Sequence, residues 1–436
     1  MFGYNQKWDE QGKEIYDLIK KLFPICRSIT GNGLRETLNI IKGIIPIDII
    51  EVPSGTKVFD WIIPKEWNIN DAYIKNSNEE KIVDFKKSNL HVVSYSIPIR
   101  KKMDLKELKK KIHTLPEYPD YIPYLTSYYQ EDWGFCIAYN QYKKLENDMY
   151  EVVIDSNLKP GSLSYGELFI KGQISEEILL TSYICHPSLC NDNLSGPTLL
   201  TILTKYLLSL KKKKGLYYSY RILFIPETIG AITWLSLNEG IIKDIKYGLV
   251  LTCLGDPGDS TYKKTRKGNS LIDIIVEKVL SDSKEPYKII DFFPSGSDER
   301  QFSSPAFDLS VGSLVRSLYG CFPEYHTSAD NLNFVKPKYL ANSFKKYWNI
   351  LYILENNKIY QNLNPKCEPH LRKRGLSSTI GGKKVDDEDI LVMFWILNFS
   401  DGKNSLLDIS IRSKINFGFI KKIANILHEK SLLEEI

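Results

Sequence analysis

Apolar residues recur at helical spacing in KEIYDLIKKLF (13–23) and again in SITGNGLRETLNIIKGI (28–44), on either side of a glycine-bearing turn. The pattern predicts helix, turn, helix over residues 1–50. From 51 to 165 the period changes. Short β-like runs, KVFDWIIP (57–64), LHVVSYSIPI (90–99), WGFCIAY (133–139) and MYEVVIDS (149–156), lie among prolines, tyrosines and tryptophans, with one helix expected near Asp104–His113. This segment reads as a β-rich domain inserted into a larger one.

Residues 166–360 are regular. Nearly continuous apolar runs such as EEILLTSYICH (176–186), YSYRILFIPE (218–227) and KYGLVLTCLG (246–255) alternate with amphipathic stretches such as GPTLLTILTKYLLSL (196–210) and SLIDIIVEKVLSD (270–282). Strands apolar along their whole length belong to a mostly parallel sheet with helices on both faces, an α/β fold. Ligands of such sheets bind beyond the carboxyl ends of the strands, which puts His186, Glu227 and the loop at 254–259 on one rim. With residues 1–50, this region is expected to form the catalytic domain. A linker at 361–375 precedes a last unit, 376–436, whose runs DEDILVMFWILNF, SLLDISIRSK and FGFIKKIANILHEKSLL predict a winged helix-turn-helix.

Composition adds limits. The 436 residues carry 58 basic and 53 acidic side chains, a net charge of +5, and the last unit is nearly balanced. That balance argues against nucleic acid as a partner and for a protein contact or self-association through the C-terminal unit. No run is long and apolar enough for a membrane, and the N-terminal segment lacks a secretory pattern, so the expected address is cytoplasmic. The seven cysteines form no CxxC pair and read as reduced thiols.

Six histidines are few enough to weigh singly. His91, His113, His370 and His428 have no acidic or cysteine partner at ligand spacing. His186 stands six residues before Asp192 in CHPSLCNDNLSG, and His326 stands in PEYHTSADN ahead of the last helix of the region. Imidazole with carboxylate is a donor set that zinc favours, although such a spacing alone also suits a solvated histidine. Glu227 ends an apolar strand in FIPETIG, where it could carry a proton or support a helix start. Asp256 and Asp298 are further polar candidates near the rim, each equally explained by turn composition. Tyr319 could hydrogen-bond an oxyanion, as could Tyr128 or Tyr129 of the insert.

Taken in order, H…DNxSG…PE…SDxxxF…HTxxDN resembles the zinc aminopeptidases with two co-catalytic metals. The phrases ICRSITGNGLRETL, VPSGTKVFDWIIPKEWNI, CHPSLCNDNLSG, PETIGAI, GSDERQF and EYHTSADN resemble more closely a bacterial family of aminopeptidase-like proteins. Members of that family are linked by name to polysaccharide biosynthesis and end in a winged helix-turn-helix. The resemblance implies that His186, Asp192 and His326 bind metal and that Glu227 is the general base. It also exposes departures: Thr228 stands where the relatives have a glutamate ligand, no carboxylate stands near Thr252 and Cys253, and Ser188 replaces a supporting aspartate. One zinc therefore fits better than two, with Asp256 or Asp298 as additional ligands. The expected function is metal-dependent hydrolysis of an amide in a small or peptide-like substrate, in surface-polysaccharide metabolism. The alternative is a catalytically inactive binding or regulatory protein of the same fold.

Overall fold

The computed structural model describes residues 3–4, 6–376 and 387–436. Its contacts separate two compact units: Trp8–Asp273 with Pro286–Phe344, and Met1–Lys7 with Ile274–Glu285 and Lys345–Ile436.

The larger unit is built on an eight-stranded sheet: β1 (Asp48–Pro53), β2 (Ser162–Ile170), β3 (Glu177–Tyr183), β4 (Ser219–Ile225), β5 (Ile245–Val250), β6 (Ser260–Lys263), β7 (Tyr287–Ile290) and β8 (Val311–Val315). Their order across the sheet is β1-β2-β4-β3-β5-β8-β6-β7. The four central strands β4, β3, β5 and β8 run parallel. The margins mix: β2 joins β4 and β6 joins β8 antiparallel, while β6 and β7 are parallel. Every residue of β3 and β4 is buried, which is why their sequences run apolar without alternation.

Helix Ser195–Lys214 follows β3 and buries Leu199, Leu200, Ile202, Leu203 and Leu207. Its four terminal lysines lie at the helix C-terminus, where positive charge is favoured. Helix Ile229–Leu237 follows β4 and buries residues 229–235, so its apolar side chains are not confined to one face.

The expected N-terminal pair is present as helices Asp9–Leu22 and Asn32–Lys42. Between them Gly31 has φ of +98°, and a Cβ there would meet the Trp67 carbonyl oxygen at 2.1 Å, so the turn requires glycine.

Because β1 and β2 both belong to the large sheet, the chain's excursion from it spans 54–161. The excursion forms a four-stranded antiparallel sheet of Glu66–Lys75, Lys81–Asp84, Ile99–Asp104 and Met149–Lys159. Its own core includes Ala72, Ile74, Phe135, Val152 and Ile154. The helix expected at 104–113 is the shorter Leu105–Lys109, capped by the Asp104 carboxylate on the Glu107 amide. Two expected strands are absent as such. KVFDWIIP folds back on itself as the hairpin Lys57–Val58 and Trp61–Ile62, turning at Phe59, whose φ is +53°. LHVVSYSIPI makes isolated bridges at Val92 and Ser94, and only its last residue, Ile99, enters a strand.

In the smaller unit, strand Ile359–Asn362 pairs with Asp401–Ser405 on one side and Leu433–Glu435 on the other. Helices Asp387–Phe399, Leu406–Ser413 and Phe417–Glu429 complete a winged helix-turn-helix. Ser405 and Asp408 form a capping box at the start of the second helix. Residues 377–386 of the expected 376–436 unit lie outside the described residues. Among the described residues no helix is long and apolar enough to cross a membrane.

Candidate metal centre

The strand ends deliver the rim residues as the sheet geometry requires. His186 lies three residues past β3, Glu227 two past β4, and the Thr252–Asp256 segment directly past β5. His326 arrives from the loop after β8. The Nε2 and Oδ2 atoms of His326 and Asp192 lie 2.8 Å apart, and His186 Nε2 is 3.9 Å from the same oxygen. All three side chains can present one donor atom within 4.8 Å of the others.

Asp192 is fully buried. Its Oδ1 accepts a close hydrogen bond from the Tyr183 hydroxyl, which also meets Thr252 Oγ1 at 2.6 Å. Oδ2 and His326 Nε2 are buried and have no aligned hydrogen-bond partner. Atoms this close can meet each other as an ion pair or share a cation, and with His186 they make a set that could hold a metal ion. Burial lowers the His186 pKa to about 4, so its imidazole is neutral, as a metal ligand must be. Burial alone would raise Asp192, but the neighbouring His186 and His326 rings and the hydrogen bond from the Tyr183 hydroxyl hold it down at about 2. A neutral His186 imidazole, a second imidazole from His326 and the ionised Asp192 carboxylate are a donor set that fits zinc.

Several supports were not anticipated from sequence. Arg27, itself buried, donates to the main-chain oxygens of His186 (2.7 Å), Pro187 (2.6 Å) and Leu22 (2.6 Å), tying the first helix to the His186 loop. Asp330 accepts the main-chain amides of Asn191 (2.6 Å) and Asp192 (2.8 Å), fixing the turn that presents the central carboxylate. Asp330 belongs to the HTSAD phrase of His326, which was the available signal. The Tyr124 ring lies 5.3 Å from the His186 ring and 5.2 Å from that of His326. Tyr325 stacks on His326 at 4.0 Å.

Glu227 faces the same space, its Oε2 lying 3.9 Å from His186 Nε2. Burial raises its pKa well above the usual carboxylate range, and the charges of Asp298 and Asp192 add to the effect. Thr228 is held at φ of +63°, donates its amide to Asp298 Oδ1 at 2.7 Å, and accepts from Arg300 at 2.9 Å. Asp298 Oδ2 is buried without a hydrogen-bond partner among the described residues, and burial raises this carboxyl to about 7. Asp298 thus supports the Glu227–Thr228 turn rather than joining the three-residue cluster.

Two of the expected site residues have other partners. The Asp256 carboxylate accepts from Asn191 Nδ2 (2.9 Å), the Gly258 amide (2.7 Å), and the Ser317 amide (3.2 Å) and hydroxyl (2.6 Å). Its work is to brace two loops. Tyr319 gives its hydroxyl to Glu299 at 2.9 Å and receives Lys263 at 3.1 Å, while its ring fills the space beside Gly296. That hydroxyl is engaged by a buried ion pair.

Two predictions arise here. Tyr183→Phe removes the hydroxyl from Asp192 and should weaken zinc binding by about 10- to 100-fold in a chelator competition, with the fold retained. The second concerns pH. Asp298 is raised in the folded chain, so between the unfolded value, about 4, and about 7 only the folded state keeps this proton. Its contribution to stability is therefore lost as pH rises through that window. Metal-free Asp298→Asn should lose less stability than the wild type between pH 5 and 8, by about 2–4 kcal/mol in urea titrations.

The architecture is that of the aminopeptidase-like class. A zinc aminopeptidase from Bacillus subtilis matches with a TM-score of 0.56 at 11% identity, covering 79% of this chain and 95% of its own. A peptidase M28 precursor from Shewanella amazonensis matches with 0.56 at 11%, covering 81% and 96%.

Residues 16–357 match the family described as a domain of unknown function, DUF4910, and the chain belongs to that family. Residues 358–435 match a winged helix-turn-helix family. A Clostridium acetobutylicum protein named for polysaccharide biosynthesis with an aminopeptidase-like domain is 58% identical over 431 residues, covering 99% of this chain and 98% of its own. A crystal structure from the same organism, named as a peptidase, aligns with a TM-score of 0.93 at 57% identity, covering 98% of this chain and 97% of its own.

Proposed function

We propose that the chain is a zinc-dependent hydrolase of an amide bond, acting in polysaccharide metabolism, with Glu227 as the proton carrier. The observation that carries this reading is the convergence of His186, Asp192 and His326, with Asp192 Oδ2 and His326 Nε2 buried and unpartnered and Glu227 Oε2 3.9 Å from His186. Zinc, held by those three side chains, would supply Lewis acidity, polarising a carbonyl and lowering the pKa of water.

The chain's own residues supply the rest. Glu227 takes the proton of the attacking water at its carboxylate and returns it to the leaving nitrogen. A carboxyl with a raised pKa suits both halves of that task near neutral pH. Asp298 holds the Thr228 amide and so keeps Glu227 turned toward the cluster. Tyr183 keeps Asp192 oriented, and Tyr124 packs against both imidazoles.

In this reading residues 1–50 and 166–360 form the catalytic domain, 51–165 the insert and 376–436 the winged helix unit, with the insert's ends drawn in to 54 and 161. The third helix of the last unit exposes Lys422, Asn425, His428 and Glu429, a mixed surface on a winged helix-turn-helix, a fold that serves nucleic-acid as well as protein contacts. Thr228 and the carboxylate-free Thr252–Cys253 segment favour a second reading, a binding protein without turnover. A panel of amino-acid amides and acylated amino sugars separates them. Zinc-dependent turnover of any member supports the hydrolase, and zinc binding without turnover across the panel supports the binding protein.

A further inference from the structure

The excursion at 54–161 does more than decorate the sheet. Its segment 122–128 is fastened to the His326 loop: the Tyr124 amide donates to the His326 carbonyl at 2.8 Å, and the Ser328 amide to the Ile122 carbonyl at 2.9 Å. From there aromatic rings continue outward. Tyr124 meets Tyr128 hydroxyl to hydroxyl at 3.1 Å, Tyr128 meets Tyr129 at 6.4 Å between centroids, and Tyr129 meets Trp61 edge-to-face at 5.3 Å. The outer two rings are open to solvent, Trp61 at 37% and Tyr129 at 51%.

Burial does not explain this placement. Tyr129 and Phe59, the turn residue beside Trp61, both hold positive φ (+65° and +53°), which costs energy in a residue with a side chain. Strain that keeps large rings exposed at the end of a track leading to a candidate centre points to a ligand. The Tyr129 hydroxyl and the Trp61 indole N–H have no protein hydrogen-bond partner among the described residues.

We infer that Trp61 and Tyr129 form a subsite for a sugar ring of the substrate, which places the bond to be cleaved at the inner end of the track. A pyranose has a flat face of C–H groups that stacks on an aromatic ring, and a rim of hydroxyls that meets phenol and indole donors. An aliphatic peptide side chain would use the apolar faces but leave those donors unmatched. The position of the cleaved bond rests on the hydrolase reading. Sugar binding at the outer rings does not.

The test is therefore binding without turnover. Full-length protein is titrated with N,N′-diacetylchitobiose, cellobiose and maltose, and with leucinamide as a non-sugar control, following intrinsic fluorescence and calorimetric heat. The expected result is saturable binding of at least one disaccharide in preference to leucinamide. Trp61→Ala or Tyr129→Ala should weaken it by about ten-fold or more at unchanged zinc content and melting temperature. No saturable disaccharide binding, or binding indifferent to both substitutions, overturns the subsite. Disaccharide binding with no amide cleaved keeps the subsite and removes the hydrolase reading.

Discussion

Glu227→Gln keeps the zinc content of the wild type and lowers turnover of any amide substrate by about a thousand-fold. Glutamine has the size of glutamate and can still accept a hydrogen bond, but it cannot take a proton. Glu227 is not one of the three converging ligands; it stands beside them, 3.9 Å from His186. Its removal should therefore separate chemistry from metal binding. The elevated pKa of the wild-type carboxyl adds a second signature: turnover should rise with pH on the limb where Glu227 ionises, and that limb should vanish in the variant. Steady-state rates across pH, with metal analysis of the same samples, check both statements. Equal turnover in the two proteins removes Glu227 from the mechanism.

Asp192→Asn has the opposite profile. It should weaken zinc binding by more than about 100-fold and take activity with it. Asp192 is the common neighbour of both imidazoles, and its negative charge is maintained in a fully buried position. An amide of equal size keeps the packing and the main-chain bond to Asp330, while losing the charge that the cation requires. Zinc should therefore stabilise the wild type and not the variant. At a zinc concentration about 100 times the dissociation constant the expected difference is about 2.7 kcal/mol, read as a shift in melting temperature. A variant that melts with the same zinc-dependent shift would show that the ion is held elsewhere.

That His186, Asp192, Glu227 and His326 come together at one rim is readable from sequence for a physical reason. Each stands past a buried strand or in a short polar phrase, and a parallel sheet delivers such positions to one rim. The fold is readable for the same reason, since strands as apolar as EILLTSY and SYRILFI have no place but the middle of a covered sheet.

What could not be read is direction and distance. Asp256 and Asp298 share the same turn-like composition, yet one closes on Asn191 and Ser317 while the other lies behind Thr228. Tyr319 lies near the rim in sequence, but the buried Lys263–Glu299 pair claims its hydroxyl. Arg27 and Tyr124 act on His186 from 159 and 62 positions away, through contacts that exist only once the chain has folded. The insert was the least legible part because its strands are short and its turns use residues such as Phe59 in conformations that side chains rarely adopt.

The central claim is that three side chains hold one zinc. Elemental analysis of zinc-supplemented, dialysed full-length protein tests it most directly. The predicted result is about one zinc per chain, reduced to background by His186→Ala and by His326→Ala. Wild-type protein that retains no zinc, or variants that retain as much as the wild type, would contradict the account.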